Sequence, residues 1–221
     1  MGNEKETLLA FQSAVGIVRK LIDEGGIYIV VSPVERTDIK LQVDRQFLEA
    51  TLEPTPFSYG DFTKFLNEMS VMVSVCLEER EEIYVQRRVE NWRDENNYDE
   101  PRIAEEKSLL ERKLQVIKGT LIDDRLSQRY FLKDHAKAPY FVDFDWEVNV
   151  KHSDSEVDMA QPLPYATCRL RYARPGARPR FPWAQSVESI QIDWTEEEID
   201  YIVRILGVVK ERIRAVKQGG R

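Results

Sequence analysis

Residues 141–151 alternate without a break. Phe141, Asp143, Asp145, Glu147, Asn149 and Lys151 take the odd places, and Val142, Phe144, Trp146, Val148 and Val150 the even ones. A side-chain period of two belongs to a β-strand and places all the even residues on one face. A slip of one residue would exchange the faces, so the pattern fixes the register of any sheet that contains it. A polar turn (HSDSE) and a Pro162-Leu163-Pro164 break follow. Tyr165–Ala173 alternates again, with Cys168, Leu170 and Tyr172 set against Arg169 and Arg171. Ser186–Asp193, carrying Val187, Ile190 and Ile192, reads as a third strand. Thr195 and Glu198 then form a capping box, the hydroxyl taking one backbone N–H and the carboxylate another. The helix it opens, 196–217, is expected to bury Ile199, Ile202, Val203, Leu206, Val209 and Ile213.

Upstream, apolar residues at three- and four-residue steps from Leu8 to Ile22 predict a helix over 5–24, ended by Gly25-Gly26. Ile27–Ser32 and the alternating Ile39, Leu41 and Val43 read as strands. Gln46–Leu52 reads as a third strand or a helical turn, with the strand preferred, before Pro54 and Pro56 break the chain. Residues 60–94 read as one long helix with a continuous stripe from Phe62 to Leu77 and a thin seam through Ile83, Tyr84 and Trp92. Asn96-Asn97 and Pro101 turn the chain, and 102–118 and 120–132 resume helical spacing, which makes a coiled-coil-like helical hairpin. The expected fold is α+β: two small antiparallel three-stranded sheets with flanking helices, joined by the hairpin. The expected divisions are an N-terminal α+β unit (1–58), the hairpin (59–135) and a C-terminal βββα unit (136–221). Both end blocks read helix, three strands, helix.

The C-terminal block resembles a COMM domain, the module at the C-terminus of a family of small eukaryotic scaffold proteins. The resemblance rests on the strand Phe144-Asp145-Trp146-Glu147-Val148, on Pro162 or Pro164 before the second strand, and on the Ile-rich third strand leading through an acidic start into an amphipathic helix (Ile190 to Ile213). It covers about 75 of the 221 residues. The family's N-terminal part is all helical, whereas residues 27–52 here read as stranded. The resemblance implies dimerisation through interlocked sheets and a place in a multi-subunit trafficking scaffold, not catalysis.

The residues offer little catalytic material. No P-loop, G-x-G-x-x-G, H-E-x-x-H or G-x-S-x-G occurs. His135 and His152, the only histidines, lie in polar surroundings, and neither stands at ligand spacing from Cys76 or Cys168. The two cysteines read as buried thiols rather than a disulfide. No cofactor and no metal site is expected. Asp123-Asp124 and the same-face pair Asp143 and Asp145 are the remaining acid–base candidates. The latter would carry a metal-dependent activity if one exists, although a charged fraction of 32% favours a solvated face. No run approaches 18 apolar residues, and the first residues lack a basic segment followed by an apolar core, so a cytoplasmic protein is expected. Glu6 stands where a myristoylation motif wants Ser or Thr.

Charge is unevenly placed. Of the net −7, residues 1–110 carry −9 and residues 111–221 carry +2. Residues 165–183 hold Arg169, Arg171, Arg174, Arg178 and Arg180 with no acid, interleaved with Tyr165, Tyr172, Phe181 and Trp183. Guanidinium forks and aromatic faces bind acidic protein surfaces and can also stack bases and grip phosphates. The leading expectation is a non-catalytic scaffold or adaptor, a subunit of a larger homo- or hetero-oligomeric complex. Its expected partner-binding residues are Arg169, Arg171, Tyr172, Arg174, Arg178, Arg180, Phe181 and Trp183. The alternative is an accessory subunit that contacts RNA or DNA through the same stretch, and the net acidity of the chain weighs against it.

Overall fold

In the computed structural model, which describes residues 2–53, 55, 57–94, 98–151, 163–174 and 187–219, the first helix, α1 (Gly2–Asp23), buries Phe11, Ala14, Val15, Val18 and Leu21. These residues recur every three or four positions and so lie on one face. The glycine pair ends the helix as expected. Gly25 takes a positive φ of 77°, its N–H reaches Ile22 O at 3.2 Å, and the Gly26 N–H reaches Leu21 O at 2.7 Å. That pair of bonds is the Schellman closure.

β1 (Ile27–Val30) and β2 (Asp38–Leu41) pair antiparallel, with Ile27 opposite Leu41 and Ile29 opposite Ile39. The expected third strand is instead a helix, α2 (Arg45–Leu52). Asp44 caps it, accepting from the Phe47 N–H at 2.7 Å, and Leu48 and Leu52, four residues apart, turn inward together. A cap that satisfies a free helix N–H outweighs an ambiguous side-chain pattern in so short a segment. The first sheet therefore has two strands, not three, and the shared order of the two end blocks disappears with the third.

The single long helix expected over 60–94 is also broken. α3 (Tyr59–Leu77) and α4 (Glu81–Asp94) meet at Glu79, which has φ 54°. The Arg80 N–H bonds Val75 O at 3.0 Å and the Glu79 N–H bonds Cys76 O at 3.4 Å. This is the closure seen after α1, with glutamate where α1 uses glycine. α5 (Glu100–Thr120) starts at the Asp99 cap with Pro101 in its first turn. α6 (Asp124–Asp134) starts at Asp123, whose carboxylate accepts from the Leu126 N–H at 2.8 Å.

One core unites these elements. Val15 and Val18 of α1, Ile29 of β1, Leu48 of α2, Phe62, Met69 and Val73 of α3, Leu110, Leu114 and Ile117 of α5, and Leu126 of α6 belong to it. Phe11 meets Phe65 edge-on at 5.3 Å between α1 and α3. Each buried aliphatic or aromatic side chain here contributes roughly 1.5–3 kcal/mol of transfer free energy. Polar links hold α6 in place: Arg19 of α1 reaches Asp123 at 3.1 Å, Arg129 donates to Ile29 O at 2.7 Å, and Lys133 donates to Val31 O at 2.7 Å. The last two bonds occupy the carbonyls of Ile29 in β1 and of Val31 just beyond it, which leaves fewer free acceptors on that side of the ribbon.

Phe141–Arg174 and the residues from Val187 onward form a second unit. β3 (Tyr140–Lys151), β4 (Leu163–Ala173) and β5 (Val187–Trp194) lie in that order. Cys168 stands opposite Ile192, Leu170 opposite Ile190 and Tyr172 opposite Glu188. α7 (Glu196–Gly219) follows after one residue. Its capping box is present: the Thr195 N–H donates to Glu198 at 2.9 Å and the Glu198 N–H to the Thr195 hydroxyl at 3.4 Å. The chain is thus α+β, with seven helices, a two-stranded sheet and a three-stranded sheet among the described residues.

Two consequences are measurable. Replacing Glu79 with Gly removes the left-handed strain of a side-chain-bearing residue and raises stability by about 0.5–1 kcal/mol in a denaturant titration. Asp123→Ala removes a cap and costs about 1 kcal/mol at pH 7. The Asp123 carboxyl is held below its ordinary value of 3.8, first by the Leu126 N–H and then by Arg19. A lowered folded-state value means that this stabilisation is complete above the ordinary carboxylate range and is lost as pH falls through the folded value. The gap in melting temperature between wild type and Asp123→Ala therefore stays constant near neutrality and closes on acidification below about pH 4.

Candidate functional site

Two polar cross-strand contacts establish which sides of the three-stranded sheet match. Asn149 of β3 donates to the Thr167 hydroxyl of β4 at 3.1 Å, and that hydroxyl donates to Asp193 of β5 at 2.7 Å. Arg171 of β4 lies 3.8 Å from Asp143 of β3. The odd-numbered residues therefore share one polar face, and the even-numbered ones share the other. The even face carries Val142, Phe144, Trp146, Val148 and Val150 from β3, Cys168, Leu170 and Tyr172 from β4, and Ile190 and Ile192 from β5.

The alternation from Phe141 to Lys151 puts these apolar residues on one face, which burial would ordinarily cover. Val142 and Cys168 are buried, but Trp146 is 68% exposed, Val148 65% and Val150 51%, and Phe144, Leu170, Ile190 and Ile192 are exposed as well. α7 departs from expectation in the same way. Ile199 and Ile202 are half-buried, whereas Val203, Leu206, Val209 and Ile213, expected in the core, are exposed. The cause lies in the connection. Thr195 is the only residue between β5 and α7, and it is committed to capping the helix. A one-residue joint has no length with which to turn a 24-residue helix back over the strands before it.

Of the arginine and aromatic residues singled out in the sequence, the four that are described, Arg169, Arg171, Tyr172 and Arg174, do not all share one face. Arg178, Arg180, Phe181 and Trp183 lie outside the described residues. Arg169 is exposed on the polar face, and Arg171 on that face is drawn to Asp143. Tyr172 is on the opposite face, where its hydroxyl donates to Glu188 at 2.6 Å. Arg174 pairs with the same carboxylate at 2.7 Å. The Glu188 carboxyl is lowered, first by the Tyr172 hydrogen bond and then by Arg174, and the Arg174 guanidinium is raised in return. Glu188 was not among the sequence candidates. The signal for it was the β-register, which a sequence alone does not supply.

Of the acid–base candidates, Asp124 and Asp145 are exposed, on α6 and β3, and the others have local structural contacts. Asp143 is buried beside Arg171. Asp123 caps a helix. His135 stacks on Phe131 with ring centroids 4.1 Å apart, and its Nδ1 lies 3.2 Å from Phe131 O. His152 lies outside the described residues. Burial pushes the Cys76 thiol up to about 12, and its Sγ lies 3.8 Å from Leu114 O. Among the described residues no three His, Cys, Asp or Glu side chains gather as a metal site, and no helix is long and apolar enough to cross a membrane.

The two β4 arginines on the polar face should separate cleanly in a denaturant titration. Arg171→Leu removes a cation 3.8 Å from the buried Asp143 carboxylate and costs about 1–3 kcal/mol. Arg169→Leu changes an exposed side chain and costs less than about 0.5 kcal/mol.

The sequence matches no protein-family model, and no curated protein is detectably similar to it.

Proposed function

We propose that this chain is a non-catalytic assembly protein that works by docking a protein partner on its C-terminal unit. The observation that carries this reading is the apolar even face of the three-stranded sheet, with Trp146, Val148 and Val150 more than half exposed. Exposed apolar residues are ordinary when scattered, but a contiguous patch on one sheet face marks an interaction surface. Trp and Tyr on such a patch are the side chains that most often dominate binding energy. The structural use of Asp123, Asp143, His135 and Cys76 supports the non-catalytic half of the reading, since each has a local role that requires no substrate. The COMM-like strand pattern points the same way.

On this reading the partner-binding surface is the even face, Tyr172 included. Arg171 and Arg174 face acids of the same chain, which lowers the net positive charge available to a nucleic acid.

The test is affinity purification from the native cell of the tagged chain and of a Trp146→Thr/Val148→Thr variant. Threonine keeps strand propensity while removing apolar area. The variant should unfold within about 0.5 kcal/mol of wild type. Wild type should retain a stoichiometric protein partner and the variant should lose it. Equal recovery by both, recovery of nucleic acid in place of protein, or no partner with wild type would overturn the reading.

A further inference from the structure

The last helix carries a charge order that selects its partner. In α7, residues 196–207 hold Glu196, Glu197, Glu198 and Asp200 against Arg204, a net −3. Residues 208–216 hold Lys210, Arg212 and Arg214 against Glu211, a net +2. The sign reversal is ordered residue by residue. Glu196 and Arg214, Glu198 and Arg212, and Asp200 and Lys210 are three acid–base pairs, all centred on Ile205.

Two of the three pairs also share a flank. At 100° per residue, Glu196 and Arg214 coincide on one flank of the apolar stripe of Ile199, Ile202, Val203, Leu206, Val209 and Ile213, with Lys210 inside that edge of the stripe, between Ile199 and Val203, and Asp200 further round from it. Glu198 and Arg212 fall on the other flank. When two helices lie antiparallel along a shared apolar seam, the same flank of each meets the same flank of its partner. A two-fold axis through Ile205 therefore brings Glu196 to Arg214 and Glu198 to Arg212, each twice over with residue i facing j and j facing i, and sets the acidic end that holds Asp200 beside the basic end that holds Lys210. Parallel pairing would set acids against acids. The apolar seam is available: Val203, Leu206, Val209 and Ile213 are exposed along it. Arg214 leans on its neighbour Glu211 at 2.6 Å, but both side chains are more than half exposed and the contact is a surface one.

We infer that the occupant of α7 is the α7 of a second copy of this chain, packed antiparallel about a two-fold axis at Ile205. The inference rests on the reading of the C-terminal unit as an assembly surface and adds the identity and orientation of one partner.

Sedimentation equilibrium of the purified full chain, run to about 100 µM, tests it. Wild type should sediment as two chains. Variant A, Glu196→Lys/Asp200→Lys, and variant B, Lys210→Glu/Arg214→Glu, both spare the Thr195–Glu198 cap. Each alone sets like charges across the seam and should weaken self-association by more than about ten-fold. An equimolar mixture of A and B restores opposite charges at both ends and should recover the two-chain species, which also shows that both variants are folded. A monomeric wild type, self-association unchanged in A and B, or failure of the mixture to recover would overturn the inference. A monomeric wild type that still retains its native-cell partner through Trp146 and Val148 would overturn this inference alone and leave the assembly reading standing.

Discussion

Thr195 sets the condition on which the C-terminal unit depends. It is the whole connection between an eight-residue strand and a 24-residue helix, and its side chain is committed to the helix cap. A sheet with one apolar face must find a second layer, and the helix next in sequence would ordinarily supply it. Here the joint is too short to redirect that helix. The even face of the sheet and the stripe of α7 therefore remain uncovered for one reason. The apolar residues on both are the right residues for a core; what the single chain lacks is the means to bring them together.

The N-terminal unit shows the opposite outcome. α1, α3 and α5 cover one another and the β1–β2 ribbon, and the aromatic and aliphatic residues of their facing stripes are fully enclosed. Its titratable groups serve this packing: Asp44, Asp99 and Asp123 cap helices, and Arg19 and Arg129 tie α6 to α1 and β1. The described residues thus form one unit whose apolar layers are covered and one whose sheet face and helix stripe are exposed.

Periodicity made most of the elements legible. The strands at 141–151 and 165–173, the helices around Leu8–Ile22 and Phe62–Leu77, and the Thr195–Glu198 cap can all be read from residue order, because each depends on neighbours a few positions away. The misreadings have local causes too. Residues 46–52 carry no decisive period, and the Asp44 cap that settles them as a helix sits just outside the run. The break at Glu79 was hidden because a left-handed helix end is normally announced by glycine, as at Gly25, and here the position holds glutamate. The candidate site was legible only as composition. The alternation identified which residues form the apolar face, but exposure depends on what lies opposite, and no pattern within a strand records that. The strand period had already set Tyr172 on the face opposite Arg169 and Arg171, but the register that brings Glu188 to Tyr172 and Arg174 is a cross-strand property that residue order does not record.

The two side chains that reach the β1 edge have a bearing on strand addition. Arg129 and Lys133 occupy the carbonyls of Ile29 and Val31. Hydrogen-bonded edges are the usual route by which β-containing proteins polymerise without limit. With those two carbonyls taken, that side of the ribbon offers an incoming strand fewer acceptors, so the α6 cations act as a cap on the ribbon as well as a tie for α6.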